Sequence, residues 1–344
     1  MDINKIRSLP LFFIIGQPRS GTTLLRTLLD AHPNVNIPLE SPYILNLSFK
    51  YAGVKHRTKS NLLKFYNDLL KQRWFEYWTI DTTKLKESIL SMEGDHPWEI
   101  ICKTVNYHYQ SCFEKKEILI TGDKNPLYSY YPARLIKLFP NAKFIHMVRD
   151  PRANILSSLK VDFEMHSIKY LAFRWKYLTK KIHKVKNNLQ GKFYTVRYED
   201  LVSDPEQVMK NVTGFLGIDH APGIFDFHKN AENIFSKYPE EEVRKNFKSL
   251  SEPINKSRAD TWKKEMSKKD IRIIDHITGK YAKICNYEAN KTKLNIWTMA
   301  GLIPAYILFG VSVSLRKFAD ILPYKMRNLL VNKDLLPAAL SHKK

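Results

Sequence analysis

The residues best suited to chemistry come early. Gly16-Gln17-Pro18-Arg19-Ser20-Gly21-Thr22-Thr23 follows a short apolar run, Leu11–Ile15, and opens a helical pattern over Thr22–Ala31 that His32-Pro33 halts. A strand that turns through glycines into a helix start is an anion site, because unpaired backbone N–H groups and the helix dipole face the ligand. Gly16 and Gly21 allow close backbone approach, while Thr22 and Thr23 add hydroxyl donors. The GxxxxG spacing is that of a nucleotide P-loop, whose next two residues are Lys and Ser/Thr. Thr22 holds the Lys position here. A kinase or NTPase uses that Lys to reach the β/γ-phosphates and the next hydroxyl to hold Mg²⁺, so the loop argues against ATP hydrolysis. Arg19, inside the loop, offers a planar fork suited to phosphate or sulfate oxygens.

A second anion element lies further on. The run Lys143–Val148 ends in Arg149-Asp150-Pro151-Arg152, and Ser157 follows Arg149 by eight residues. A cation at the carboxyl end of a strand and a hydroxyl on the next helix can converge on one anion. Asp150 and Arg152 read as a structural ion pair.

Pro18-Arg19-Ser20-Gly21-Thr22-Thr23-Leu24, followed by Leu29-Asp30-Ala31-His32-Pro33, resembles the sulfate-donor loop of sulfotransferases, nearest the tyrosylprotein branch and its bacterial relatives. The resemblance covers about Leu11 to Tyr287. It implies a P-loop-like α/β fold that binds 3′-phosphoadenosine 5′-phosphosulfate (PAPS) and moves its sulfuryl group to a hydroxyl without a catalytic metal. On that likeness Arg149 and Ser157 hold the donor's 3′-phosphate, and Arg19, Ser20, Gly21, Thr22 and Thr23 cradle its 5′ end. Glu40 matches the glutamate used as base, a role a carboxylate can fill; many cytosolic members use a His, which leaves His108 in reserve. Lys124, in Gly122-Asp123-Lys124-Asn125-Pro126, matches a lysine near the leaving group, where an ammonium neutralises developing charge. Tyr198, in Val196-Arg197-Tyr198-Glu199-Asp200-Leu201, matches a tyrosine near the nucleotide, with packing at the strand end an equal alternative. Pro253–Trp262 resembles a late loop that closes over the nucleotide through Ser257 and Arg258. Leu39 and Pro42 stand where the tyrosylprotein branch has Glu and Arg, a departure that speaks against a tyrosine-peptide acceptor.

Four short apolar runs read as the strands that must position these groups: Leu11–Ile15, Ile118–Ile120, Lys143–Val148 and Lys192–Val196. Helical patterns over Thr22–Ala31, Pro132–Phe139 and Ile168–Leu189 separate them. The alternation predicts a three-layer α/β sandwich with a central parallel sheet, its strand-to-helix turns gathered at one edge. The stretch 43–113 is helical and aromatic, either simple helix packing or an acceptor-side wall.

The 344 residues carry 56 Lys+Arg against 34 Asp+Glu, a charge of +22, which calls for an anionic partner. Three cysteines without a CxxC pair argue against a disulfide scaffold or a structural zinc, and no metal is expected. Leu11–Ile15 is too short for a signal-peptide core, which predicts a cytoplasmic protein. The chain divides into a 1–290 sulfotransferase-like domain and a 291–344 extension of helical character. The 22 residues Leu294–Leu315 hold no charge, with Lys291 and Lys293 before them and Arg316, Lys317, Lys325 and Arg327 after. Basic residues on both flanks favour a segment dipping into the cytoplasmic leaflet, with 294–340 held by anionic headgroups, over a simple span; a buried C-terminal helix is the alternative. The aromatic insert and apolar tail favour a lipid, steroid or other hydrophobic alcohol as acceptor, with a glycan or small phenol also open, and no nucleic acid is expected. The competing functions are a P-loop nucleotide kinase and a non-catalytic binder of polyanions or membranes.

Overall fold

The computed structural model describes residues 3–161, 164–234, 236, 250–290 and 293–332. Five parallel strands form the central sheet. They are β1 (Leu11–Gly16), β2 (Val35–Asn36), β3 (Ile120–Lys124), β4 (Lys143–Val148) and β5 (Phe193–Arg197), in the order β2-β3-β1-β4-β5. β1 is buried at all six positions because it is central and covered on both faces. Its alternation separates two cores. Phe13 and Ile15 join Tyr128, Phe139 and Phe144 on one side. Phe12 and Ile14 join Leu25, Leu28, Ile145 and Met147 on the other. Helix α1 (Thr22–Asp30) covers the second side, and α2 (Pro151–Leu159) follows β4. Helix α3 (Ile168–Lys186) sends Ile182 into the first core. The result is the expected α/β sandwich.

Its boundaries correct the sequence in four places. The third strand spans Ile120–Lys124 rather than Ile118–Ile120, so Lys124 is its last residue and not part of the loop beyond. Thr121-Gly122-Asp123 lacks an apolar signature yet pairs with Leu11, Phe12 and Phe13. Gly122 is required there, since a Cβ would lie 2.3 Å from the Phe12 ring. The two-residue β2 went unforeseen, being too short to carry a pattern. The last strand begins one residue later than expected, and α3 stops at Lys186, three residues short of Leu189.

Residues 43–113 form helices Tyr43–Tyr51, Lys59–Leu69, Thr82–Leu90 and Trp98–Tyr107. Their aromatics pack edge-on, Tyr43 against Trp78 at 5.8 Å and Phe65 against Trp98 at 5.6 Å, all four buried in the first core.

The uncharged C-terminal run is not one continuous helix. A short helix, Ile296–Ala300, ends at Gly301, and α4 (Ile303–Ile321) then begins with Pro304 in its first turn, where a missing N–H costs nothing. α5 (Tyr324–Asn332) follows. α4 packs on α3, with Phe309 edge-on to Tyr170 at 5.5 Å and Ser312 accepting from the Tyr170 hydroxyl at 3.0 Å. Ile296–Ile321 is long and apolar enough to cross a membrane, and an 18-residue window within it has mean hydropathy 1.8 with 11% of that window buried. Lys291 and residues 333–340 lie outside the described residues.

Candidate active site

The loop between β1 and α1 is held in an unusual backbone. Arg19 and Gly21 both have positive φ, 64° and 89°. For a non-glycine residue the left-handed region is uncommon and costs on the order of 1 kcal/mol or more, so the surroundings must enforce it. Arg149 Nη1 donates to the Arg19 carbonyl at 3.1 Å, and Asn154 Nδ2 donates to the Pro18 carbonyl at 2.8 Å and to Ser20 Oγ at 3.1 Å. The Arg19 side chain turns to Ser157, Nε donating to Oγ at 3.3 Å. Gly21 admits no side chain, because a Cβ would fall 2.5 Å from the Tyr198 ring.

Arg149 ends β4 and links three parts of the site. Besides the Arg19 carbonyl, it donates from Nη2 to the Arg258 carbonyl at 2.7 Å and lies 4.3 Å from the Tyr198 ring centroid. Its Nε is buried without a hydrogen-bond partner, a costly state. Burial lowers the pKa of Arg149, and burial with Arg149 alongside lowers that of Arg19. Arg152, three residues on, is neutralised instead. Asp150 accepts from its Nε at 2.9 Å and Nη2 at 2.6 Å, and Asp275 lies 3.7 Å from Nη1.

A cavity of about 380 Å³ opens between these groups. Arg19, Gly21, Thr22, Thr23, Arg149, Ser157 and Tyr198 line it together. The late loop contributes Arg258 and Trp262, with Leu156, Val202 and Ile254 as apolar wall. Adjoining guanidinium groups beside apolar surface suit an anionic ligand that also carries an apolar or aromatic part.

Thr23 connects the cavity to a second cluster. Buried Lys124 donates to Thr23 Oγ1 at 3.1 Å and is ion-paired with Glu40, whose side chain keeps 21% of its surface exposed. Burial pulls the Lys124 pKa down and Glu40 opposes it. Neighbouring Asp123 accepts from the Tyr128 hydroxyl, and burial pushes its pKa up to about 7. Arg26 fixes the segment that delivers Glu40: paired with Asp30 at 3.0 Å, it donates to the carbonyls of Ile37 at 2.7 Å and Pro38 at 3.2 Å.

The sequence candidates thus divide. Arg19, Gly21, Thr22, Thr23, Arg149, Ser157, Tyr198 and Arg258 line one cavity, and Glu40 and Lys124 join it through Thr23. Ser20 is buried beneath the loop on Asn154. Ser257 is exposed and does not line the cavity; its N–H is turned to Asn255 Oδ1 at 2.8 Å. His108 ends the helix Trp98–Tyr107 on Ser88 at 2.8 Å, outside the cavity lining, its pKa lowered by burial. Sequence reasoning missed Asn154, Arg26 and Trp262 as functional residues. Arg26 carried a signal, an Asp four residues on. Among the described residues no cluster of three or more His, Cys, Asp or Glu could hold a metal.

A glycine-bounded loop between a central parallel strand and its helix, faced by a second cationic strand end, defines an α/β protein of P-loop-like design with a cationic cavity. The chain belongs to the sulfotransferase family, whose model, described as "Sulfotransferase family", matches residues 10–222. It is 30% identical over 265 residues to a protein-tyrosine sulfotransferase of Drosophila melanogaster, covering 74% of this chain and 47% of that one. It is 28% identical over 246 residues to the omega-hydroxy-beta-dihydromenaquinone-9 sulfotransferase Stf3 of Mycobacterium tuberculosis, covering 61% and 63%. The chain therefore spans about half the length of the Drosophila relative and somewhat more of the mycobacterial one. Among solved structures, the sulfotransferase domain of the Synechococcus PCC 7002 olefin synthase shares the fold. Its TM-score is 0.52 at 22% identity, over 82% of this chain and 96% of that one.

Proposed function

We propose that the protein transfers a sulfuryl group from PAPS to the hydroxyl of a hydrophobic alcohol. The observation that carries this is the pair of adjoining guanidinium groups on one cavity, Arg19 on Ser157 and Arg149 on the Arg19 carbonyl, with Gly21, Thr22, Thr23 and Tyr198 lining the same space. PAPS is an adenosine with anions at its 3′ and 5′ ends, and the apolar wall with Tyr198 and Trp262 suits its base. Ser257, exposed outside the lining, is dropped from the binding set in favour of Asn154, which braces the loop.

Glu40 takes the acceptor's proton as the oxygen attacks sulfur in line with the departing phosphate oxygen. Its ion pair with Lys124 holds it beside the end of β3, and its partial exposure leaves it open to an acceptor. Lys124 and Arg19 then stabilise charge on the leaving oxygen and the transferring group. As in phosphoryl transfer, the protein contributes position and electrostatics.

The acceptor class draws support from the exposed apolar C-terminal surface and from the likeness to an enzyme named for a hydroxylated menaquinone. Three free cysteines accord with a reducing, cytoplasmic setting. Calorimetry with adenosine 3′,5′-bisphosphate and ATP tests the donor assignment. Tight binding of the bisphosphate is expected; preference for ATP overturns it. Labelled PAPS incubated with a cell extract then identifies the acceptor.

A further inference from the structure

The C-terminal helices leave one apolar face uncovered by any described residue. Ile303, Ile307, Val311, Phe318 and Ile321 recur at helical spacing along α4, each half or more exposed, and Trp297 just before them is 82% exposed. The opposite face, with Phe309, Ser312, Arg316 and Ala319, is buried on the domain. A continuous apolar surface of this size marks an interaction site. Charge selects its occupant. Asp320 is the sole acid between residues 294 and 332, and it is occupied by the Tyr131 hydroxyl at 3.0 Å and by Arg327 at 3.7 Å. Exposed Lys293, Lys317 and Lys325 flank the face. Two copies meeting here would bring these lysines together, whereas anionic lipid headgroups complement them.

The attachment of α4 also sets its orientation. Nineteen helical residues span about 29 Å, enough for a hydrocarbon core of about 30 Å. Yet α4 is fastened along its length. Lys169 of α3 donates to the Gly301 carbonyl at 2.6 Å, Phe173 meets Tyr306 at 5.3 Å, and Arg316 lies 4.2 Å from the Tyr130 ring centroid. A transmembrane α4 would draw Lys169, Lys176 and Lys180 of the same helix pair into hydrocarbon.

We infer that α4 lies in the plane of an anionic bilayer, its free face in the lipid, without crossing it. The docked face adjoins both segments that carry the transfer pair. Tyr130 and Tyr131, which follow Lys124, touch Arg316 and Asp320. Asn46 and Phe49, which follow Glu40, touch Asn328 and Arg327 of α5. Resting on the sulfuryl-transfer assignment, this names the acceptor class as an alcohol resident in the bilayer.

The docking is tested on the full chain with vesicles of phosphatidylcholine, with and without phosphatidylglycerol. Cosedimentation is expected with the anionic vesicles, weakened about tenfold or more by Ile307→Ser with Phe318→Ser, and likewise by Lys317→Gln with Lys325→Gln. All four side chains are exposed, so the fold should survive, and unchanged binding of adenosine 3′,5′-bisphosphate verifies it. A tryptophan placed by Val311→Trp should be quenched by bromines near the headgroups; quenching only by bromines at the bilayer centre would mean a span and overturn the in-plane orientation. No binding to anionic vesicles, or a dimer dispersed by the serine pair, overturns the docking. Loss of bisphosphate binding in the wild type would instead sink the catalytic assignment alone.

Discussion

Replacing Arg149 with methionine should cost the protein its recognition of the ligand's 3′-phosphate more than its recognition of the rest of the nucleotide. Two effects separate. Arg149 donates to the Arg19 carbonyl and so helps hold the loop in its left-handed conformation. Loss of that bond, worth about 1 kcal/mol, should weaken any 5′-phosphate nucleotide about fivefold. Nη1 and Nη2 each donate once, to a carbonyl, which leaves each a second N–H for the ligand. A charge-assisted hydrogen bond to phosphate is worth about 1.5–3 kcal/mol, so a ligand bearing the 3′-phosphate should lose a further factor of about 10–150. Calorimetry with adenosine 3′,5′-bisphosphate and adenosine 5′-monophosphate, at one ionic strength, measures both effects. Wild type should prefer the bisphosphate strongly, and Arg149→Met should erase most of that preference. Arg149→Lys, which keeps the charge without the fork, should fall between. Equal losses for both nucleotides would refute the reasoning, since Arg149 would then only brace the loop.

Gly21→Ala should leave the protein folded but weaken binding of the bisphosphate, because φ of 89° and the Tyr198 ring both resist a Cβ; calorimetry beside a thermal melt separates the two effects. Glu40→Gln keeps an acceptor for Lys124, so bisphosphate affinity should hold while turnover falls about 10²–10⁴-fold; a parallel fall in affinity would make Glu40 a structural partner only. Asp123 gives a pH signature. Its carboxyl stays protonated in the fold up to about pH 7 but ionises near pH 4 when unfolded. The folded state binds the extra proton, so stability from this group falls as pH rises between those values, by on the order of a few kcal/mol, and then levels. Asp123→Asn should flatten that decline in urea unfolding from pH 4 to pH 8.

The parts of the site legible in the sequence were those in which chemistry and local geometry coincide in one short stretch. The loop from Gly16 to Thr23 and the Arg149–Ser157 segment announce themselves because a strand end, a turn and a helix start follow one another. β3 was misplaced because its polar residues, Thr121, Asp123 and Lys124, are buried on hydrogen-bond partners from other elements, so the strand does not look like one. Asn154 and Arg26 were overlooked because their roles lie in backbone carbonyls far along the chain, at Pro18 and at Ile37–Pro38. The aromatics of residues 43–113 signalled burial correctly but not what the helices surround. The apolar tail was legible as a surface-seeking segment, whereas its fastening to α3 depends on Lys169, Phe173 and Tyr170, which sequence spacing does not connect to it.

The contrast between Arg149 and Arg152 explains how one strand end can be both stable and poised for an anion. Arg152 is satisfied by two carboxylates, so its charge is cancelled and it serves the fold. Arg149 is fastened by two carbonyls, and Arg19 by a hydroxyl; these neutral acceptors fix geometry without removing charge. Glu252 is 3.4 Å from Arg258, but both are well exposed and the pair is weak. Buried positive charge is therefore only partly compensated, by Glu164 near Arg19 and by Glu199 and Asp150 near Arg149, and holding it costs stability that a dianionic nucleotide can return on binding. Ligand-induced stabilisation follows: adenosine 3′,5′-bisphosphate should raise the melting temperature more than adenosine 5′-monophosphate at equal occupancy of the 5′ site. A carboxylate introduced by Ser157→Asp beside Arg19 should raise the melting temperature of the empty protein and abolish the response to ligand, because it would supply internally the negative charge that the site otherwise takes from its substrate.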